Sequence, residues 1–238
     1  MFLNAISKTL EQIADPVFIR VLLTAMLGGA VLMGLLSAVF LWFDPFTALQ
    51  SLPYVGDSSI LASAGTGLSL VLMWYFLYPV CLISIMSAMT DTVADAVEDA
   101  HYPNKKGPLS PSFLAGLASG LKLLMVVIAV NLLALIPYLF LLIFTAGVGT
   151  AVLFAVINGY LLGREYYETV SHRHMPPGAA RLARKRRQGT IILAGALISG
   201  LLFVPLVNIL TPILAAAFMT HIVHMGGYLR APQAGERP

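Results

Sequence analysis

Three kinds of side chain in this 238-residue sequence have a type and spacing that chemistry can use. Asp91, Asp95 and Glu98 recur at i, i+4 and i+7 with His101 close behind, so a helix would gather three carboxylates on one face. A divalent cation or a set of basic partners would suit such a face; we read it as solvated or salt-bridged, with the seven Lys and Arg of 164–187 as its partners. His172 with His174, and His221 with His224 at i, i+3, offer imidazole nitrogens in pairs. Neither pair has a third ligand at matching spacing, so no metal and no cofactor is expected. No nucleophile elbow, phosphate loop or zincin motif occurs, and an enzyme is not expected. Cys81 lies inside an apolar stretch and reads as a small buried hydrophobe.

The remaining polar candidates are defined by where they sit. Asn131, Asn158 and Asn208 fall inside long apolar blocks, where an amide must be paired. They serve either as glue between helices or as the lining of a polar path. Arg20 opens an apolar block. It is either a cation beside the free N–H groups of a helix start, forming a small oxyanion site, or an anchor reaching lipid headgroups.

The elements that must hold these residues follow from the charge map. Val21–Phe43, Ser58–Thr90, Leu123–Gly163 and Gln188–Leu229 carry no Asp, Glu, Lys or Arg. In a chain that is 58% hydrophobic with mean hydropathy +0.86, uncharged runs of this length imply a bilayer as solvent. The net charge of +3 then belongs to basic loops beside anionic lipid, and no nucleic-acid partner is expected. Residues 1–230 form one integral membrane domain, and 231–238 a short polar tail.

Lys and Arg are absent from the Asp44–Asp57 connection and present in every other charged segment. The positive-inside rule therefore puts that loop outside and both termini in the cytoplasm. Both ends of Leu123–Gly163 then lie on one side, as do both ends of Gln188–Leu229. Each block must go in and return. Pro and Gly near the middle, at Ile136-Pro137 through Gly149 and at Val204-Pro205 through Pro212, leave apolar halves of roughly fifteen residues. Such halves reach about 20–25 Å, short of the ~30 Å hydrocarbon core. The expected fold is all-α: two long transmembrane helices, two hemi-penetrating hairpins of short helices, and amphipathic interfacial helices.

In outline, Ile6, Leu10 and Ile13 give an interfacial helix, and Asp15-Pro16 caps the first long helix. The second long helix bends at Pro79 and continues to about Ala100. Arg181, Arg184, Lys185, Arg186 and Arg187 form a short basic helix against anionic lipid.

Assembled in order, these stretches resemble the bacterial CysZ sulfate permease family, which belongs with the etoposide-induced protein family. Carrying the resemblance are Asp15–Arg20 (DPVFIR), Asp91–Pro103 (DTVADAVEDAHYP), Asn158–Tyr167 (NGYLLGREYY) and the VPLVNILTP within Gly195–His224. It implies two long helices with two hemi-penetrating hairpins, an inner-membrane location, a homo-oligomer, and sulfate or a related oxyanion as the cargo. The implied anion site is Arg20 with the N–H groups of Phe18 and Ile19; Val17 and Ile19 stand where the family motif has Gly and a second Arg. Asn158, Asn208 and Asn131 are the expected translocation path. The alternative function is a non-transporting membrane scaffold held on lipid by its basic loop.

Overall fold

The computed structural model describes residues 1–43, 46, 59–107 and 113–229. Most of the expected external loop, Ser110-Pro111, which reads from sequence as the cap of the first hairpin, and the tail 231–238 lie outside the described residues. Among those described, the chain is all-helical: α1 (Phe2–Glu11), α2 (Pro16–Trp42), α3 (Ser59–Ala88), α4 (Thr90–His101), α5 (Phe113–Phe144), α6 (Val148–His172), α7 (Pro177–Arg186), α8 (Gln188–Leu201) and α9 (Pro205–Met225). Pro16–Trp42, Ala62–Ala88 and Val207–Met225 are long and apolar enough to cross a membrane. Ile128–Phe144 and Gln188–Leu201 are apolar but shorter.

The chain divides into two compact units, Ile19–Met89 and the remainder. The first is an antiparallel pair made by α2 and α3. Trp74 Nε1 donates to Ser37 Oγ at 3.0 Å, and the Tyr78 hydroxyl to the Met26 carbonyl at 3.2 Å. Leu27, Val31, Leu35, Val71, Tyr75 and Phe76 are exposed, which leaves this pair sheathed in apolar side chains fit for lipid. The start of α2 is as expected: Asp15 Oδ1 accepts the Val17 N–H at 2.8 Å, and Pro16 occupies the first position.

In the second unit α6 lies against α5, α7, α8 and α9, while α9 also meets α1 and α4. The α6–α8 approach depends on glycine. A Cβ on Gly159 would stand 2.9 Å from the Ile192 carbonyl oxygen, and one on Gly195 would run into the backbone of Gly159 and Gly163. Two helix backbones therefore touch where side chains would separate them.

Three boundaries differ from expectation. The second long helix does not continue from Pro79 to Ala100: α3 runs through Pro79 and ends at Ala88, and α4 is a separate element after Met89. α5 is likewise continuous through Pro137, so the first hairpin turns only at Thr145–Gly147, at the far end of the expected tip. There Gly147 has φ +88°, and Thr145 Oγ1 accepts the Gly149 N–H at 2.8 Å. Finally α9 starts at Pro205 and passes through Pro212, giving a helix of 21 residues opposite an α8 of 14. A proline inside an apolar helix removes one backbone bond, and neighbouring helices or side chains can make up the loss. The second hairpin thus pairs one short arm with one of spanning length. α9 is mostly enclosed by protein, its spanning window being 78% buried.

Gly195→Ala is expected to lower stability by about 1–3 kcal/mol, because the methyl group meets backbone on α6. Gly189→Ala, with nothing within 4 Å, should leave it unchanged. Thermal unfolding of the detergent-solubilised variants checks both.

Candidate functional site

A connected polar group is centred on Glu98. α4 packs through Val93, Ala94 and Val97, all buried, and Glu98 flanks that stripe closely enough to be carried inward with it. Its side chain is fully enclosed, and a carboxylate in that position must be paired and hydrogen-bonded. Oε1 faces two imidazoles, His174 Nε2 at 2.7 Å and His224 Nε2 at 3.1 Å. Oε2 accepts the Gly107 N–H and Arg173 Nη2, both at 3.2 Å. Residue 107 must be glycine for this approach, since a Cβ would lie 2.7 Å from the Arg173 carbonyl oxygen.

Arg173 links Glu98 to the rest of the acidic face. It bonds Asp95 Oδ1 and, at 3.3 Å, the Asp91 carbonyl, with the Asp91 carboxylate 3.8 Å away. The expected pairing of the Asp91–Glu98 face with the basic segment is therefore present, and Arg173 supplies it. On the other side the Tyr102 ring stacks on His224, centroids 4.3 Å apart and planes within 8°. The Tyr102 hydroxyl meets His221 Nδ1 at 3.0 Å, and His221 Nε2 lies 3.3 Å from Gln12 Oε1 at the end of α1. One polar seam thus joins α1, α4, α9 and the α6–α7 connection.

The charges follow this geometry. Burial alone would raise the Glu98 carboxyl. The hydrogen bonds from His174, His224 and Gly107 and the charge of Arg173 outweigh burial and hold it well below its ordinary 4.5. Asp91 goes the other way: burial raises it, and Arg173 offsets that only in part. Burial lowers His101, with Lys8 adding to the effect.

The anion-site residues lie at the start of α2. Arg20 and Ile19 are exposed and Phe18 is buried; among the described residues no ion pair involves Arg20. Pro16 has no N–H and Asp15 takes that of Val17, so the first turn offers an anion at most the Phe18 and Ile19 amides. Of the path residues, Asn158 Nδ2 donates to the Phe154 carbonyl of its own helix at 3.0 Å. Asn208 is half-buried in the first turn of α9, and Asn131 is exposed on α5. On α7 and just beyond it, Arg181, Lys185, Arg186 and Arg187 are exposed. Arg184 points inward, 3.4 Å from Glu168, and does not face lipid.

Sequence reasoning paired the histidines by proximity in the chain, whereas the fold takes one member from each pair, His174 and His224, and aims both at Glu98. The position of Glu98 beside Val93, Ala94 and Val97 was the available signal. A carboxylate at the edge of an apolar stripe is drawn toward the core and must find partners there.

A protein-family model described as Sulfate transporter CysZ/Etoposide-induced protein 2.4 matches residues 5–212. No curated protein and no solved structure matches the chain.

Glu98→Gln is expected to cost about 1–3 kcal/mol at neutral pH, because buried donors lose a charged acceptor. Folded Glu98 titrates below its ordinary 4.5, so its contribution is complete above that value and is lost as pH falls toward the folded value. Thermal unfolding of wild type and variant should show a gap constant down to roughly pH 5 that narrows on further acidification. A gap that widens would contradict this.

Proposed function

The chain belongs to the sulfate transporter CysZ/etoposide-induced protein 2.4 family, and on that premise we propose that it carries sulfate or a related oxyanion across a bacterial inner membrane. The observation that carries the reading is Arg20, an exposed guanidinium with no ion-pair partner among the described residues, in the second turn of a helix long and apolar enough to span. A guanidinium with backbone N–H groups beside it recognises an oxyanion by charge and by directed donors. In this proposal the Phe18 and Ile19 amides complete the site, and Asn131, Asn158 and Asn208 supply polar groups along the route. The Asp15 carboxylate at the helix start competes with the anion for the same positive end, so affinity is modest.

The same proposal puts residues 1–230 in one membrane domain with both termini cytoplasmic, on the distribution of Lys and Arg. Exposed Leu132, Leu133, Ile136 and Ile143 on α5 form an apolar surface for lipid or for a second copy in a homo-oligomer. A second reading, a scaffold without transport, has the exposed Arg181, Lys185, Arg186 and Arg187 in its favour as a contact for anionic lipid.

Labelled sulfate uptake into proteoliposomes decides between them. Transport predicts flux that Arg20→Ala lowers about tenfold or more, the loss of one charge-assisted contact. Asp15→Asn keeps a good helix cap, removes the competing charge and should tighten apparent sulfate affinity about two- to fivefold. Absence of flux, or flux that Arg20→Ala leaves at the wild-type level, overturns the proposal. Vesicle binding lost on neutralising Arg181, Lys185, Arg186 and Arg187, without flux, would support the scaffold.

A further inference from the structure

We propose that Glu98, His174 and His224 form a binding site for a divalent transition-metal ion of the zinc type, which clips α4 and α9 to the connection between α6 and α7. Glu98 Oε1, His174 Nε2 and His224 Nε2 come from three elements far apart in the chain, and all lie within 4.8 Å of one another. Two imidazole nitrogens and a carboxylate oxygen are a recurrent three-ligand set for zinc, with the fourth tetrahedral position left to water. The separations from Oε1, 2.7 Å to His174 and 3.1 Å to His224, put both imidazole nitrogens within reach of one ion bound to that oxygen. An ion about 2.0–2.2 Å from each atom spaces tetrahedral ligand atoms roughly 3.3–3.6 Å apart, so Oε1 and the His174 nitrogen would move apart as it enters.

What surrounds the three atoms fits the same use. Arg173 and the Gly107 N–H hold Oε2, so Oε1 is the oxygen left to face the imidazoles. Fixing the far oxygen of a ligating carboxylate is the usual task of groups behind a metal site. Tyr102 stacked on His224 fixes that ring's plane, and His174 meets His224 edge-on with centroids 5.2 Å apart. The charge of Arg173 is balanced by Asp95 and Asp91, so the carboxylate of Glu98 is not consumed by the guanidinium alone. Entry is from the His174 side, whose side chain keeps 8% of its surface exposed, while Glu98 and His224 are closed off. His224 lies beyond the residues matched by the family model, and the site rests on these contacts rather than on the proposed transport.

The test uses the full chain, purified in detergent without a polyhistidine tag and stripped with chelator. Titration with zinc chloride should show one ion bound per chain and a melting temperature raised by about 5 °C at a hundredfold excess over Kd. Cobalt in place of zinc should give the visible absorption of a tetrahedral site. His174→Ala and, separately, His224→Gln should each weaken zinc binding about 10–100-fold and abolish the cobalt spectrum, whereas His172→Ala should change neither. Wild-type protein that binds no zinc, or binds it equally well after both His174→Ala and His224→Gln, overturns the proposal. Because binding is read directly, this outcome is independent of whether sulfate is transported.

Discussion

A fully enclosed carboxylate cannot be left alone, and the second unit of this protein is organised around satisfying one. Glu98 takes donors from four sources: His174 and Arg173 after α6, Gly107 after α4, and His224 near the end of α9. Each donor must arrive from a different direction, so the segments that carry them are fixed relative to α4. The arrangement gives specificity more than stability. A buried charge with good partners roughly offsets its own desolvation, yet losing one partner is costly. The apolar packing of Val93, Ala94 and Val97 supplies the stabilising burial, and Glu98 sets the register in which it happens.

The two units meet the bilayer problem differently. α2 and α3 present apolar side chains outward and tie to each other with bonds such as Trp74 to Ser37. In the second unit the α6–α8 contact is made by glycines, with backbones close enough that a single methyl group would intrude. Lipid gives no hydrophobic drive for one apolar helix to prefer another, so close van der Waals approach and a few polar contacts must do it. Both devices appear here, in different parts of the chain.

Much of this could be read from residues alone. Uncharged blocks announced the membrane, Asp15-Pro16 announced the start of α2, and the spacing of Asp91, Asp95 and Glu98 announced a face needing cations. The misreadings share a cause. Pro137 and Pro212 read from sequence as marks of a hairpin tip, yet both lie inside helices. A proline costs one bond wherever it stands, but whether that ends the helix depends on neighbours that sequence does not display. The actual interruption after Ala88, at Met89, has no local breaker at all. Arg184 reads as one more expected lipid contact for a similar reason: five cations in seven residues look alike until one finds Glu168. The convergence of His174 and His224 was illegible because residues 50 apart in sequence meet only through the tertiary fold.

The enclosure of most of α9 bears on how the protein is made. By hydropathy this helix qualifies for the membrane, but Thr211, Thr220, His221 and His224 are buried with the rest of it. The two threonines bond carbonyls of their own helix, but bare lipid would leave His221 and His224 without partners. Synthesis runs from the N-terminus, so α1, α4, α6 and α8, against which α9 packs, have all been made when it emerges. Its partners Gln12, Tyr102 and Glu98 thus precede α9 in the chain, and its insertion is an act of assembly as much as of partitioning.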